Sequence, residues 1–126
     1  MTIREFYECT GGNYEEVLAR FLSEERTARF LHMFPKDPSF DGVEAVFPEK
    51  AEEPFEEVSE AVLREAFRAA HTLKGVCLNL GFKRLYASAS AVTEALREAD
   101  VRQTRALMPA LRRDYREVME ALRQIG

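Results

Sequence analysis

Apolar residues recur along this chain at intervals of three and four, while alternation at period two is nearly absent, so the pattern predicts helices and no sheet. Asn13 followed by Glu16 reads as a capping-box start, with Tyr14, Val17, Leu18, Phe21 and Leu22 on one face of the helix behind it. Ser23 is placed to cap a second helix, whose Thr27, Phe30, Leu31 and Phe34 share a stripe that Pro35 stops. Residues 35–54 have a different texture. They hold four of the five prolines and Gly42, with Phe40, Val43, Val46 and Phe47 between them. This reads as a long loop with one short helix beginning near Ser39, packed down by its apolar residues.

From Pro54 the helical signal is long. Leu63, Ala66, Ala70, Leu73, Cys77 and Leu80 repeat at three, four, three, four and three, a seam that faces a neighbouring helix. Gly81 is a natural helix end, since glycine adopts the left-handed C-terminal conformation cheaply. A further helix carries Leu85, Ala89, Val92 and Leu96. Asp100 with Gln103 opens the last one, which carries Leu107, Leu111, Tyr115, Val118, Leu122 and Ile125. Pro109 inside that pattern predicts a kink or a true first turn there. The sum is one all-α domain over residues 1–126: an antiparallel four-helix bundle with additional short N-terminal helices, preceded by an N-terminal segment at residues 1–12.

Composition narrows the function classes. The chain has 126 residues, the size of one ordinary domain, and its 46% apolar and 32% charged content excludes a disordered chain. No run reaches the ~18 consecutive apolar residues of a membrane span, and the opening residues lack the apolar core of an export signal. With only Cys9 and Cys77 there is no disulfide framework, so a reducing cytoplasm is the expected location. A formal net charge of −4 argues against nucleic acid as partner. Residues 44–65 carry eight glutamates against Lys50 and Arg64, which reads as a solvated acidic face. The arginines of the last helix, Arg102, Arg105, Arg112, Arg113, Arg116 and Arg123, read as solvated surface paired with acidic neighbours.

The chemistry concentrates in Ala70-His71-Thr72-Leu73-Lys74-Gly75 and the residues after it. At about 100° per residue His71 lies roughly a quarter-turn from the centre of the apolar seam, and Lys74 follows one turn later on the same side. Gly75 removes a side chain that would crowd the imidazole, at a cost of about 1 kcal/mol relative to alanine in mid-helix. Phe67 and Leu78 add apolar surface beside His71, and Arg64 falls on the same side two turns earlier. A neutral imidazole is a good nucleophile near physiological pH, and a phosphoryl group placed on it gains from a nearby ammonium. Two readings stay open on geometry alone. In one, His71 sits at the rim of a core and Gly75 admits a closely packed helix. In the other, Gly75 admits a second molecule to a reactive His71.

The same stretch, with Leu80-Gly81 behind it, resembles the signature of histidine-containing phosphotransfer (Hpt) domains, helical bundles whose exposed histidine shuttles phosphoryl groups between aspartates of receiver domains. Phe30, Leu31 and Phe34 before Asp37 resemble the family's second helix, Leu85 to Leu96 the helix after the phospho-helix, and Tyr115 to Leu122 the last one. The stretch from Val43 to Glu57 departs from the pattern by its length. The resemblance implies His71 as phosphoacceptor, Lys74 as the phosphate-stabilising cation, Gly75 as the gap that gives access, and Arg64, Phe67 and Leu78 as partner contacts. It implies a monomeric carrier in a two-component phosphorelay, with a response-regulator receiver domain or hybrid histidine kinase as partner. No cofactor of its own is expected, magnesium belonging to the receiver.

No glycine-rich phosphate loop or Walker-type motif occurs, so a kinase acting from ATP is not expected. A helical adaptor binding through the same face without chemistry is the alternative, although it needs none of His71, Lys74 and Gly75. A metal or hydrolytic enzyme is disfavoured, because neither His32 nor His71 is paired at ligand spacing with a carboxylate. His32 and Cys77 read as packing residues, and nothing near Cys9 marks it as activated.

Overall fold

The computed structural model describes residues 1–50 and 57–126, and these are helical without any strand. The helices are α1 (Ile3–Thr10), α2 (Tyr14–Phe21), α3 (Glu24–Met33), α4 (Ser39–Glu44), α5 (Glu60–Leu80), α6 (Lys83–Arg97) and α7 (Val101–Arg123), with a 3-10 turn at Phe34–Lys36. Short connections after α5 and α6 make α5, α6 and α7 consecutive antiparallel neighbours. The remaining wall of the bundle is assembled from short pieces. Gly42 of α4 lies so close to α5 that a Cβ there would meet the Ala69 Cβ at 2.9 Å. Phe40 stacks on Tyr115 of α7 with ring centroids 3.8 Å apart, so α4 bridges α5 and α7.

The seam of α5 is buried as the spacing predicts: Leu63, Ala66, Ala70, Leu73, Cys77 and Leu80 all face the core. Each of the three leucines contributes about 2 kcal/mol of transfer free energy, while the alanines and Cys77 keep the helix close to its neighbours. Burial pushes the Cys77 thiol well above its ordinary range, which suits an inert packing residue. Leu85, Ala89, Val92 and Leu96 of α6 are buried in turn. Phe40, Val43 and Phe47 are buried within this chain, so the described part of the proline-rich stretch, residues 35–50, does pack down. A side-chain clamp reinforces it: buried Arg112 of α7 donates to both Glu44 oxygens at 3.1 and 2.9 Å and to the Phe47 carbonyl at 2.6 Å. Arg116 pairs with Glu49 at 2.6 Å beside it, so the basic face of α7 is used largely in pairs.

Several positions differ from the pattern. Residues 3–10 form a helix of their own, opened by a Thr2–Glu5 capping box. Leu22 is not on the face of α2; it ends that helix in the left-handed conformation, φ 74°, and is 75% exposed. Phe30, placed on the buried stripe of its helix, is 43% exposed. The long helix starts at Glu60, where the Ser59 side chain accepts from the Val62 amide, and Glu57 to Ser59 lie outside it. The earlier part of that expected start, at Pro54, and the acidic residues Glu52, Glu53 and Glu56 lie outside the described residues. Pro109 neither ends nor begins α7, which runs through it with Asp100 as N-cap.

The C-terminal end of α5 is held by the N-terminal helices. Phe82 donates to the Cys77 carbonyl at 3.0 Å and Gly81, at φ 73°, to that of Leu78 at 3.3 Å, a Schellman ending. The last turn of α5 has no basic residue of its own, and Arg20 of α2 supplies one by donating to the Leu78 carbonyl at 3.2 Å and to that of Asn79. The buried Tyr7 hydroxyl of α1 donates to the Leu80 carbonyl at 2.7 Å. Replacing Tyr7 by Phe leaves a buried carbonyl without that donor. Urea unfolding of Tyr7→Phe is expected to show a loss of about 1–2 kcal/mol; unchanged stability would mean that the hydroxyl holds nothing.

Candidate functional site

Burying one side of α5 presents the opposite side outward, and six of its residues form a stripe there. Arg64, Phe67, His71, Lys74, Gly75 and Leu78 fall within about 100° of arc at 3.6 residues per turn. His71, Arg64 and Gly75 are exposed, Phe67 and Lys74 half-buried, and Leu78 is 54% exposed. His71 therefore stands in solvent rather than at the rim of the core.

Phe67 and His71 are brought into contact, with ring centroids 5.9 Å apart and planes at 52°. Arg64 and Leu78 lie two turns away on either side, about 10 Å along the axis, and share the face rather than the immediate surroundings of the imidazole. Lys74 follows His71 by one turn, and among the described residues its ammonium makes no ion pair. Bonds to the neighbours therefore leave that charge for an incoming anion. The other cations of the surface are mostly engaged: Arg84 with Glu117, Arg4 with Glu15 and Arg123 with Glu120.

The surroundings of Gly75 bear on the two readings of the stretch. A Cβ built on it meets nothing within 4 Å among the described residues. No helix among the described residues packs where its side chain would be, so close packing between them does not explain it. Gly42, where a Cβ would collide with Ala69, shows what a packing glycine looks like in the same molecule. The open space is beside His71 and faces outward.

A model of the Hpt domain family matches residues 45–124. The chain belongs to the Hpt domain family. The match takes in α5, α6 and α7 and so most of the helical seam and the whole His71 face. Neither the curated proteins nor the solved structures give a significant match. Family membership implies a phosphotransfer role in histidine–aspartate phosphorelays, as a phosphocarrier module rather than a kinase, with receiver domains as the kind of partner. Helices α1 to α4 precede the matched span, yet α1 and α2 hold the end of the helix that carries His71.

Two neighbours of the site were not foreseen. Arg97, at the end of α6, lays its guanidinium over the Phe67 ring at 5.0 Å from the centroid. No spacing along the chain points to it, because the contact exists only once α6 runs back along α5. On the other flank, Phe21, Phe30, Met33 and Val76 line an apolar groove of about 400 Å³ between α3 and α5. Phe30 leaves the core to stack on Phe21 there, with centroids 4.6 Å apart. His32 is exposed and lies by Met119 and Leu122 of α7, at a different place from His71. Cys9 is exposed and Cys77 buried. Among the described residues no cluster of His, Cys, Asp or Glu is arranged to hold a metal ion, and no helix is long and apolar enough to cross a membrane.

Because Gly75 is both mid-helical and uncontacted, alanine there gains helix propensity and meets no obstacle. Gly75→Ala is expected to raise unfolding stability by up to about 1 kcal/mol, as read by urea titration. A loss of stability would return Gly75 to the role of a packing residue.

Proposed function

We propose that this protein is a phosphohistidine carrier in which His71 accepts a phosphoryl group from the aspartate of a receiver domain and passes it to another. The observation that carries the reading is the open space at Gly75 beside an exposed His71. A glycine that costs helix stability and relieves no internal contact leaves room for a second molecule to approach the imidazole.

In the forward step the unprotonated imidazole nitrogen attacks phosphorus in line. The new N–P bond forms as the bond between phosphorus and the aspartyl oxygen breaks, and the aspartate leaves as carboxylate. The proton on the other ring nitrogen is then free to leave. The reverse step regenerates the imidazole. The Lys74 ammonium offsets part of the charge of the three phosphoryl oxygens, and the receiver, with its magnesium, supplies the remaining stabilisation. Phe67 and Leu78 give the docking face its apolar contacts and Arg64 a cation at its edge, with the groove at Phe21 and Phe30 extending the apolar surface. A monomer in the cytoplasm fits this use of the face. The adaptor reading keeps the face but leaves the unpaired Lys74 and the gap at Gly75 without a purpose.

The deciding experiment incubates the purified protein with several phosphorylated receiver domains and follows acid-labile, alkali-stable label. Label on the wild-type chain and none on a folded His71→Gln variant is the expected outcome; transfer retained by His71→Gln would overturn the assignment. No label from any receiver onto the folded wild-type chain favours the adaptor.

Two side chains beside the imidazole give graded outcomes. Lys74→Ala is expected to slow transfer by about tenfold, the worth of one exposed charge-assisted contact. Gly75→Leu is expected to keep the helical circular dichroism spectrum and an unfolding midpoint at or above that of the wild type while nearly abolishing transfer. Full activity in Gly75→Leu would show that no partner comes close there.

A further inference from the structure

Resting on the phosphocarrier reading, we infer that Arg97 is a positioning residue for His71, acting through Phe67. The three groups form a stack that spans two helices: the Arg97 guanidinium lies 5.0 Å from the Phe67 centroid, and the Phe67 ring lies 5.9 Å from the His71 ring. Phe67 precedes His71 by one helical turn, so their side chains are neighbours on the same stripe. Arg97 reaches that turn because α6 returns antiparallel along α5 and ends beside its first half.

An exposed histidine with no neighbour exchanges rotamers on the picosecond to nanosecond scale. In-line transfer needs one nitrogen aimed at phosphorus, so each unproductive rotamer lowers the rate at full receiver occupancy. Phe67 narrows that choice only if its own ring is held, and it is half-buried on an outward face. Arg97 supplies the hold from the face of the ring. Its other bond, to Glu94 on its own helix, runs at 3.3 to 3.4 Å, long for a charge-assisted pair. The ring is therefore a substantial part of what anchors the guanidinium, and the guanidinium is what anchors the ring. Lys74 lies one turn beyond His71 on the other side and does not share this task.

Two measurements test the stack. In the unphosphorylated protein, the ring current of Phe67 displaces the His71 ring protons; Arg97→Ala is expected to move their NMR shifts toward those of a mobile exposed histidine, and Arg97→Lys to keep most of the displacement. In transfer from a phosphorylated receiver, Arg97→Ala and Phe67→Leu are each expected to lower the maximal rate by about two- to fivefold. In Arg97→Ala the receiver concentration at half-saturation stays nearly constant, whereas Phe67→Leu, which also trims a docking contact, raises it. The maximal rate of the double variant is no lower than that of the worse single one. Unmoved His71 shifts in Arg97→Ala overturn the proposal. So does a loss confined to half-saturation, which would make Arg97 a receiver contact, or a double variant whose losses multiply. Should the wild-type chain accept no phosphoryl group at all, the carrier function fails while the NMR result still decides the stack.

Discussion

The small-residue seam of α5 is the constraint on which the site depends. Ala66, Ala70 and Cys77 are fully buried between larger neighbours, and at 3.6 residues per turn their burial leaves no choice about what faces out. With positions 70, 73 and 77 inward, positions 67, 71, 75 and 78 must turn toward solvent. The seam is also what lets α6 lie close enough for Arg97 to reach Phe67.

Holding the rotation of α5 is not enough, because a long helix also frays from its ends. Here the C-terminal end is closed from three directions: by its own Schellman turn at Gly81, by the Tyr7 hydroxyl and by Arg20. Two of these come from α1 and α2, outside the span that matches the Hpt family. The end of α4 and the residues just after it are tied to α7 instead, through Arg112 and Arg116 with Glu44 and Glu49. Burying an arginine is costly, but Arg112 faces Glu44 at 2.9 Å and Glu49 at 3.8 Å and also donates to the Phe47 carbonyl, so its charge and donors are spread over several acceptors. Stability and function thus use different faces of the same helices.

Much of this was legible in the chain. The three-four spacing located α5, α6 and α7 and the buried residues of α5 and most of those of α6, because periodicity reports burial directly. On α7 it found Leu111 and Val118 but placed Leu107, Tyr115 and Leu122, which are half-buried, ahead of Met108 and Ala121. His71, Lys74 and Gly75 were legible because they stand close together on one helix, where spacing converts to position. The misses have physical causes. The helix at residues 3–10 is short, and its signal was the Thr2-x-x-Glu5 box, which local chemistry announces but hydrophobic periodicity over eight residues does not. Phe30 was assigned to the core by its register, but the stacking partner Phe21 draws it to the surface. Of the two expectations at Pro109, the true first turn fails because the Asp100 cap starts α7 eight residues earlier, and a packed helix of 23 residues tolerates one missing amide donor. Arg97 was invisible, since a contact between residues 67 and 97 follows from antiparallel pairing and not from either local sequence.

The outward face of α5 combines features that are each unfavourable to an isolated bundle. Gly75 costs helix propensity, Lys74 carries a charge with no intramolecular partner among the described residues, and Leu78 exposes apolar surface. A bundle selected for stability alone has better choices at all three positions, and each is a single substitution away. Lys74 and Gly75 adjoin one exposed histidine and Leu78 shares its face, which is what the proposed reading uses to give the three costs one cause. On the proposed carrier reading, an approaching surface uses the space at 75, an arriving phosphoryl group the charge at 74, and a docking contact the apolar side chain at 78. Packing within the described residues accounts for none of the three, whereas the proposed docking of a receiver accounts for them together.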